Sequence, residues 1–106
     1  MATYVGPIFP TPLYTTRWPY PQACHLYADT DQELIHFAHR IGLKARWHQK
    51  PHTSYSHFDL TPGRRKAAIN AGAIPHTAWQ ESTFLLARRT HPIPRTTVSP
   101  SPKTLP

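Results

Sequence analysis

The stretch ACHLYADTDQELIHFAHRIG, residues 23–42, decides how this chain folds. Ala23 to Ala28 alternates loosely between apolar and polar positions, as a half-buried strand does, and ends at Asp29. Thr30-Asp31-Gln32-Glu33 has the pattern of a capping box, in which Thr30 accepts from the backbone N–H near Glu33 while Glu33 reaches back to the cap. Leu34, Phe37, Ala38 and Ile41 then recur at i, i+3, i+4 and i+7 as one apolar stripe, and Gly42 is placed to end the helix. A strand handing over to an amphipathic helix predicts an α/β unit.

Upstream, Thr3 to Val5 suits a short strand, while five prolines in residues 7–21 predict an extended arm or edge segment. Downstream, Leu43 to Gln49 reads as a second strand, followed by a polar loop through Ser56. Thr61-Pro62 starts a helix over residues 62–71, because Thr caps well and Pro at the first helical position loses no hydrogen bond. Gly72 ends that helix, and Ala73-Ile74 suits a short strand. Thr77-Ala78-Trp79-Gln80 is a further capping box, opening a helix to about Arg89 with Trp79, Phe84 and Leu85 turned inward. Residues 90–106, rich in Pro, Ser and Thr, read as a basic, polyproline-like tail. The expected architecture is one small compact α/β domain over residues 1–89. It has a short mixed sheet of three to four strands packed with two to three helices, and extended Pro-rich arms at both ends.

The charge balance narrows the partners. Twelve Lys and Arg against five acids give a formal net charge of +7 over 106 residues, which favours nucleic acid, nucleotides or other anions. Between Arg40 and Lys66, Asp59 is the one acid among seven basic residues, and no acid follows Glu81. The single Cys24 excludes an internal disulfide and, beside a strand-borne His25 pointing the other way, reads as a buried inert thiol; it favours a reducing, cytoplasmic setting. Apolar runs are too short to span a membrane, and Met1 to Tyr4 lacks the pattern of a signal peptide.

At Cys24-His25, Asp29-Thr30, Glu33-Leu34, Phe37-Ala38, Ile41-Gly42-Leu43, Trp47, His57-Phe58-Asp59-Leu60, Arg65, Ala68-Ile69 and Gly72-Ala73, the chain resembles a family of small bacterial and phage proteins. The family is domain of unknown function four-zero-three-one, and the resemblance covers roughly residues 3–75. It implies a compact α/β unit and no particular activity. Acidic residues commonly follow the first strand in that family, where this chain has Gly6-Pro7; if those carboxylates form a site in relatives, this chain has lost part of it.

His25, Asp29, His57 and Asp59 are the candidate chemical centre, since imidazoles and carboxylates suit zinc, manganese or iron and a catalytic metal takes three of them plus an open position. The structural alternative has Asp59 bonding backbone near the following helix start and Asp29 helping to cap its own helix. Arg64, Arg65 and Lys66 fall in a first helical turn, where the helix dipole disfavours cations unless an anion sits there. Among them the resemblance gives Arg65 most weight. Lys44, Arg46, Trp47, His48 and Lys50 interleave basic and aromatic residues as nucleic-acid surfaces do. On a strand, Lys44, Arg46 and His48 would point outward and Trp47 inward. His36, His39, His52, His76 and His91 follow no ligand spacing.

These features predict a non-enzymatic anion-binding module contacting nucleic acid or a nucleotide. Lys44, Arg46, Arg64 and Arg65 would supply its charge, and His25, Asp29, His57 and Asp59 its oriented polar groups. One alternative is a metal-dependent, phosphoesterase-like hydrolase using the His/Asp cluster, against which the scarcity of carboxylates counts. Another is a structural or regulatory subunit of a phage or ribonucleoprotein assembly, held by the Pro-rich arms. No cofactor is expected, a divalent metal being the one alternative these residues offer.

Overall fold

The computed structural model describes residues 2–11 and 18–90. Most of the expected tail, residues 91–106, and the centre of the Pro-rich arm, residues 12–17, lie outside the described residues. The domain is a small α/β unit with a five-stranded mixed sheet and three α-helices.

The sheet is organised around β3 (Gln22–Ala28), which pairs antiparallel with β1 (Thr3–Val5), β2 (Phe9–Pro10) and β4 (Phe58–Leu60). β5 (Ile74–Pro75) runs parallel to β1. Between the Val5–Leu26 and Phe9–Ala23 pairs the leading segment is one residue longer than the facing stretch of β3, so pairing is interrupted around Gly6-Pro7. The proline-rich arm therefore contributes an edge strand as far as Pro10.

α1 (Asp31–Arg40) starts where the sequence placed it: Thr30 Oγ1 accepts from Glu33 N at 3.1 Å. The reciprocal half of the capping box is not made, because Glu33 Oε1 is buried without a hydrogen-bond partner. α2 (Pro62–Asn70) is capped by Thr61, and α3 (Ala78–Thr90) has a complete capping box, with Gln80 N donating to Thr77 Oγ1 at 3.2 Å and Thr77 N donating to Gln80 Oε1 at 2.8 Å. α1 and α2 end alike. Gly42 (φ 85°) and Gly72 (φ 113°) donate to the carbonyls of His39 and Ile69, and Leu43 and Ala73 donate to those of Ala38 and Ala68. This is a Schellman ending, whose left-handed residue selects glycine.

Alternation along the strands sorts two faces. Val5, Cys24, Leu26, Ala28, Phe58 and Leu60 point into one core with Leu34, Phe37 and Ala38 of α1 and Ala68 of α2. Tyr4, His25, Tyr27 and Asp59 point the other way, toward α3, whose Phe84 ring lies 5.2 Å from both tyrosine rings. The result is three layers, helix pair, sheet and helix. Cys24 is fully buried and its thiol pKa is pushed up to about 11 by that burial, as an inert thiol requires.

Two more sequence expectations fail. Leu43 to Gln49 is not a strand: Ala45–Trp47 forms a short 3-10 turn, and only Gln49 makes a bridge, with His57. Trp47 is accordingly half-buried rather than facing inward on a strand, and Ala45 is exposed. Trp79 is 79% exposed. The inward face of α3 is Glu81, Phe84, Leu85 and Arg88, and Trp79 lies about 180° from Arg88 around the helix. Two charged residues on the buried face are invisible to a search for apolar periodicity.

The core also makes stability pH-dependent. Burial lowers the pKa of His48 and of His76 from 6.5. A depressed histidine pKa means the unfolded chain binds the proton more tightly, so this stability is present above about pH 6.5 and lost as pH falls below it. A histidine whose pKa is raised acts in the opposite sense, so the comparison of variant with parent is what reads this contribution: from about pH 7 to about pH 5, His76→Gln should lose less stability in urea unfolding than the parent does. An unchanged pH slope in His76→Gln would refute the assignment.

Candidate functional site

The site grows from the same alternation. Because Phe58 and Leu60 enter the core, His57 and Asp59 emerge together on the opposite face, and the β3–β4 register sets His25 directly across from Asp59. Asp59 Oδ1 lies 3.3 Å from His57 Nε2 and 3.7 Å from His25 Nε2, and the two imidazole rings are 4.6 Å apart. Among the described residues these three are the group whose ligand atoms all fall within 4.8 Å of one another.

Each member is held by a second partner. His25 Nδ1 meets Glu81 Oε2 at 2.8 Å and its ring packs on Phe9. His57 Nδ1 meets the Tyr55 carbonyl at 2.5 Å, and Asp59 Oδ2 accepts from Gln49 Nε2 at 2.8 Å. Gln49 reaches Asp59 because the Gln49–His57 bridge closes the intervening loop, in which Lys50 and His52 take left-handed backbone (φ 50° and 64°). Burial lowers the His57 pKa, but the hydrogen bonds with Asp59 and the Tyr55 carbonyl and the nearby negative charge outweigh it, leaving the pKa raised.

The structure does not bring Asp29 to this group. It lies one residue past the end of β3 and four residues beyond His25, about 13 Å away at the rise of an extended chain. There it accepts from Ala2 N at 2.6 Å and from the Tyr4 hydroxyl at 2.9 Å, fastening the leading strand. Burial and this bond push the Tyr4 pKa up to about 12. Two other histidines are likewise structural: His76 Nδ1 meets the Tyr27 hydroxyl at 2.7 Å and stacks on Tyr4, and His52 bonds Asp31 through its backbone N–H. His36 and His39 are exposed.

Beside the triad a cleft of about 800 Å³ is lined by Trp18, Tyr20, Trp47, Arg46, Lys50 and Arg64, with Asp59 at its wall. The Arg64 guanidinium lies 5.4 Å from the Trp47 ring centroid, and Lys44 approaches the same ring at 5.8 Å. Trp18 and Tyr20 meet edge to face at 5.1 Å, leaving Tyr20 46% exposed. Of the four basic candidates, Arg46 and Arg64 line the cleft. Arg65 instead donates Nε to the Gly6 carbonyl at 2.9 Å, tying α2 to the end of β1.

Sequence reasoning missed Glu81 and Gln49. Glu81 carried a weak signal as the last acid of a basic half-chain, and Gln49 carried none. Glu81 also explains Gly6: a Cβ there would overlap the Glu81 carboxylate. Gly6→Ala should therefore keep the fold, since a flexible side chain can move, yet push Glu81 off His25. Imidazole 15N NMR of His25 in Gly6→Ala and in Glu81→Ala reads this directly, and unchanged Nδ1 protonation in Gly6→Ala would refute it.

The fold and site define a small three-layer α/β protein with a two-histidine, one-carboxylate cluster at the edge of an aromatic, basic cleft. The chain belongs to the family described as protein of unknown function (DUF4031), whose model matches residues 14–88. The match begins later than the resemblance in the sequence and extends further, taking in Glu81 and most of α3. No curated protein and no solved structure matches the chain. Among the described residues no helix is long and apolar enough to cross a membrane.

Proposed function

We propose that the cleft binds a nucleotide unit, either free or within a single-stranded nucleic acid, and that the protein acts as a binding module. The observation that carries this reading is the joint lining of one cleft by three aromatic rings and three cations. Bases stack on exposed aromatic faces whatever their sequence, while guanidinium and ammonium groups neutralise the phosphates. The volume of about 800 Å³ falls within the usual range for small-ligand sites. The formal charge of +7 draws a polyanion toward the cleft.

The test is fluorescence anisotropy with a labelled single-stranded oligonucleotide and, in competition, a mononucleotide, across a salt series. A strand that spans several cations gives an affinity falling by about 0.7 log units per log unit of salt for each phosphate neutralised. A mononucleotide gives a shallower dependence. Binding of neither ligand would end this reading.

A further inference from the structure

We propose that His25, His57 and Asp59 form a binding site for a divalent transition-metal ion, held through His25 Nε2, His57 Nε2 and an Asp59 carboxylate oxygen. The first support is spacing. Metal–ligand bonds of about 2.0–2.2 Å in tetrahedral geometry set ligand atoms about 3.3–3.6 Å apart. Asp59 Oδ1 already lies 3.3 Å from His57 Nε2 and 3.7 Å from His25 Nε2.

The second support is the fixed direction of both rings. Carboxylate and carbonyl oxygens only accept, so Glu81 on His25 Nδ1 and the Tyr55 carbonyl on His57 Nδ1 each hold a proton on that nitrogen. Both Nε2 atoms are thereby left to face Asp59 as donors to a metal. Gln49 fixes the remaining Asp59 oxygen in turn. Each of the three ligands thus has its own outer partner, the arrangement that orients and strengthens metal ligands in proteins.

The third support is access. The three side chains are 18–32% exposed, enough for an ion to enter and for water or a phosphate oxygen to take a further coordination position. Asp59 also walls the cleft, so the ion would sit at the edge of the nucleotide site. The metal site does not rest on the nucleotide reading, because its test uses the ion alone.

Zinc is the permissive probe, since such a site binds it more tightly than manganese or iron. Calorimetric titration of the full chain should show one zinc ion per chain. Asp59→Asn and His57→Gln should each weaken binding by at least about tenfold, with an unchanged far-ultraviolet spectrum. Glu81→Gln and Gln49→Ala, which leave the ligands in place, should weaken it about 10–100-fold without changing the stoichiometry. The exposed pair His36 and His39 is the rival, and His36→Ala/His39→Ala should bind as the parent does. X-ray absorption of the zinc-loaded wild type needs no variant and should show two imidazoles and at least one oxygen. No stoichiometric uptake, less than about tenfold loss in both ligand variants, loss in the His36/His39 variant, or fewer than two imidazoles at the metal would each overturn the proposal.

Discussion

Arg64→Glu should weaken binding of a single-stranded oligonucleotide at least about tenfold at low salt and flatten its log–log salt dependence by about 0.7. The charge at the cleft changes by two, at a guanidinium that lies over Trp47 and is exposed. The fold should not suffer, because an acid in the first turn of α2 suits the helix dipole better than the arginine it replaces. Tyr20→Ala makes the complementary measurement. Losing a stacking ring costs about 1–3 kcal/mol, or about 5–150-fold in affinity, and leaves the salt dependence alone. Tyr20 is 46% exposed, so the loss is not one of packing. If both variants bind like the parent, the cleft is not where the ligand sits.

Phe58→Ala should lower stability by about 3–5 kcal/mol in urea unfolding, a large part of the roughly 5–15 kcal/mol that holds a domain together. Phe58 is 1% exposed at the start of β4, faces Leu26 in register, and stacks on His48 at 4.8 Å with an interplanar angle of 13°. Truncation leaves a cavity beneath the strand that carries His57 and Asp59. Trp79→Ala, at a site 79% exposed, should change stability by less than about 0.5 kcal/mol. Near-parental stability in Phe58→Ala would mean that the core is not centred on β3 and β4.

Much of the secondary structure was legible because its signals are local. Thr30, Thr61 and Thr77 each cap a helix that starts at the next residue, and Gly42 and Gly72 each follow a helix end in the left-handed conformation. The apolar stripe of Leu34, Phe37 and Ala38 is buried as its period requires. Leu43 to Gln49 misled because its alternation also fits a loop that packs Leu43 and Trp47 against the core with a 3-10 turn over Ala45–Trp47. Asp29 misled for a related reason. It shares the strand face of His25, but sharing a face says nothing about distance along the strand.

The amino-acid sequence by itself determined where helices begin and end, which positions of β1 and β3 enter the core, and that His57 and Asp59 share a face if their segment is extended. Capping, glycine endings and two-residue alternation depend on neighbours a few positions apart. Only the tertiary structure decided that His25 pairs with Asp59, that Glu81 from a distant helix holds the His25 ring, and that Arg64 rather than Arg65 lines the cleft. Those outcomes follow from strand register and from the docking of α3 across the sheet, both set by contacts between residues tens of positions apart.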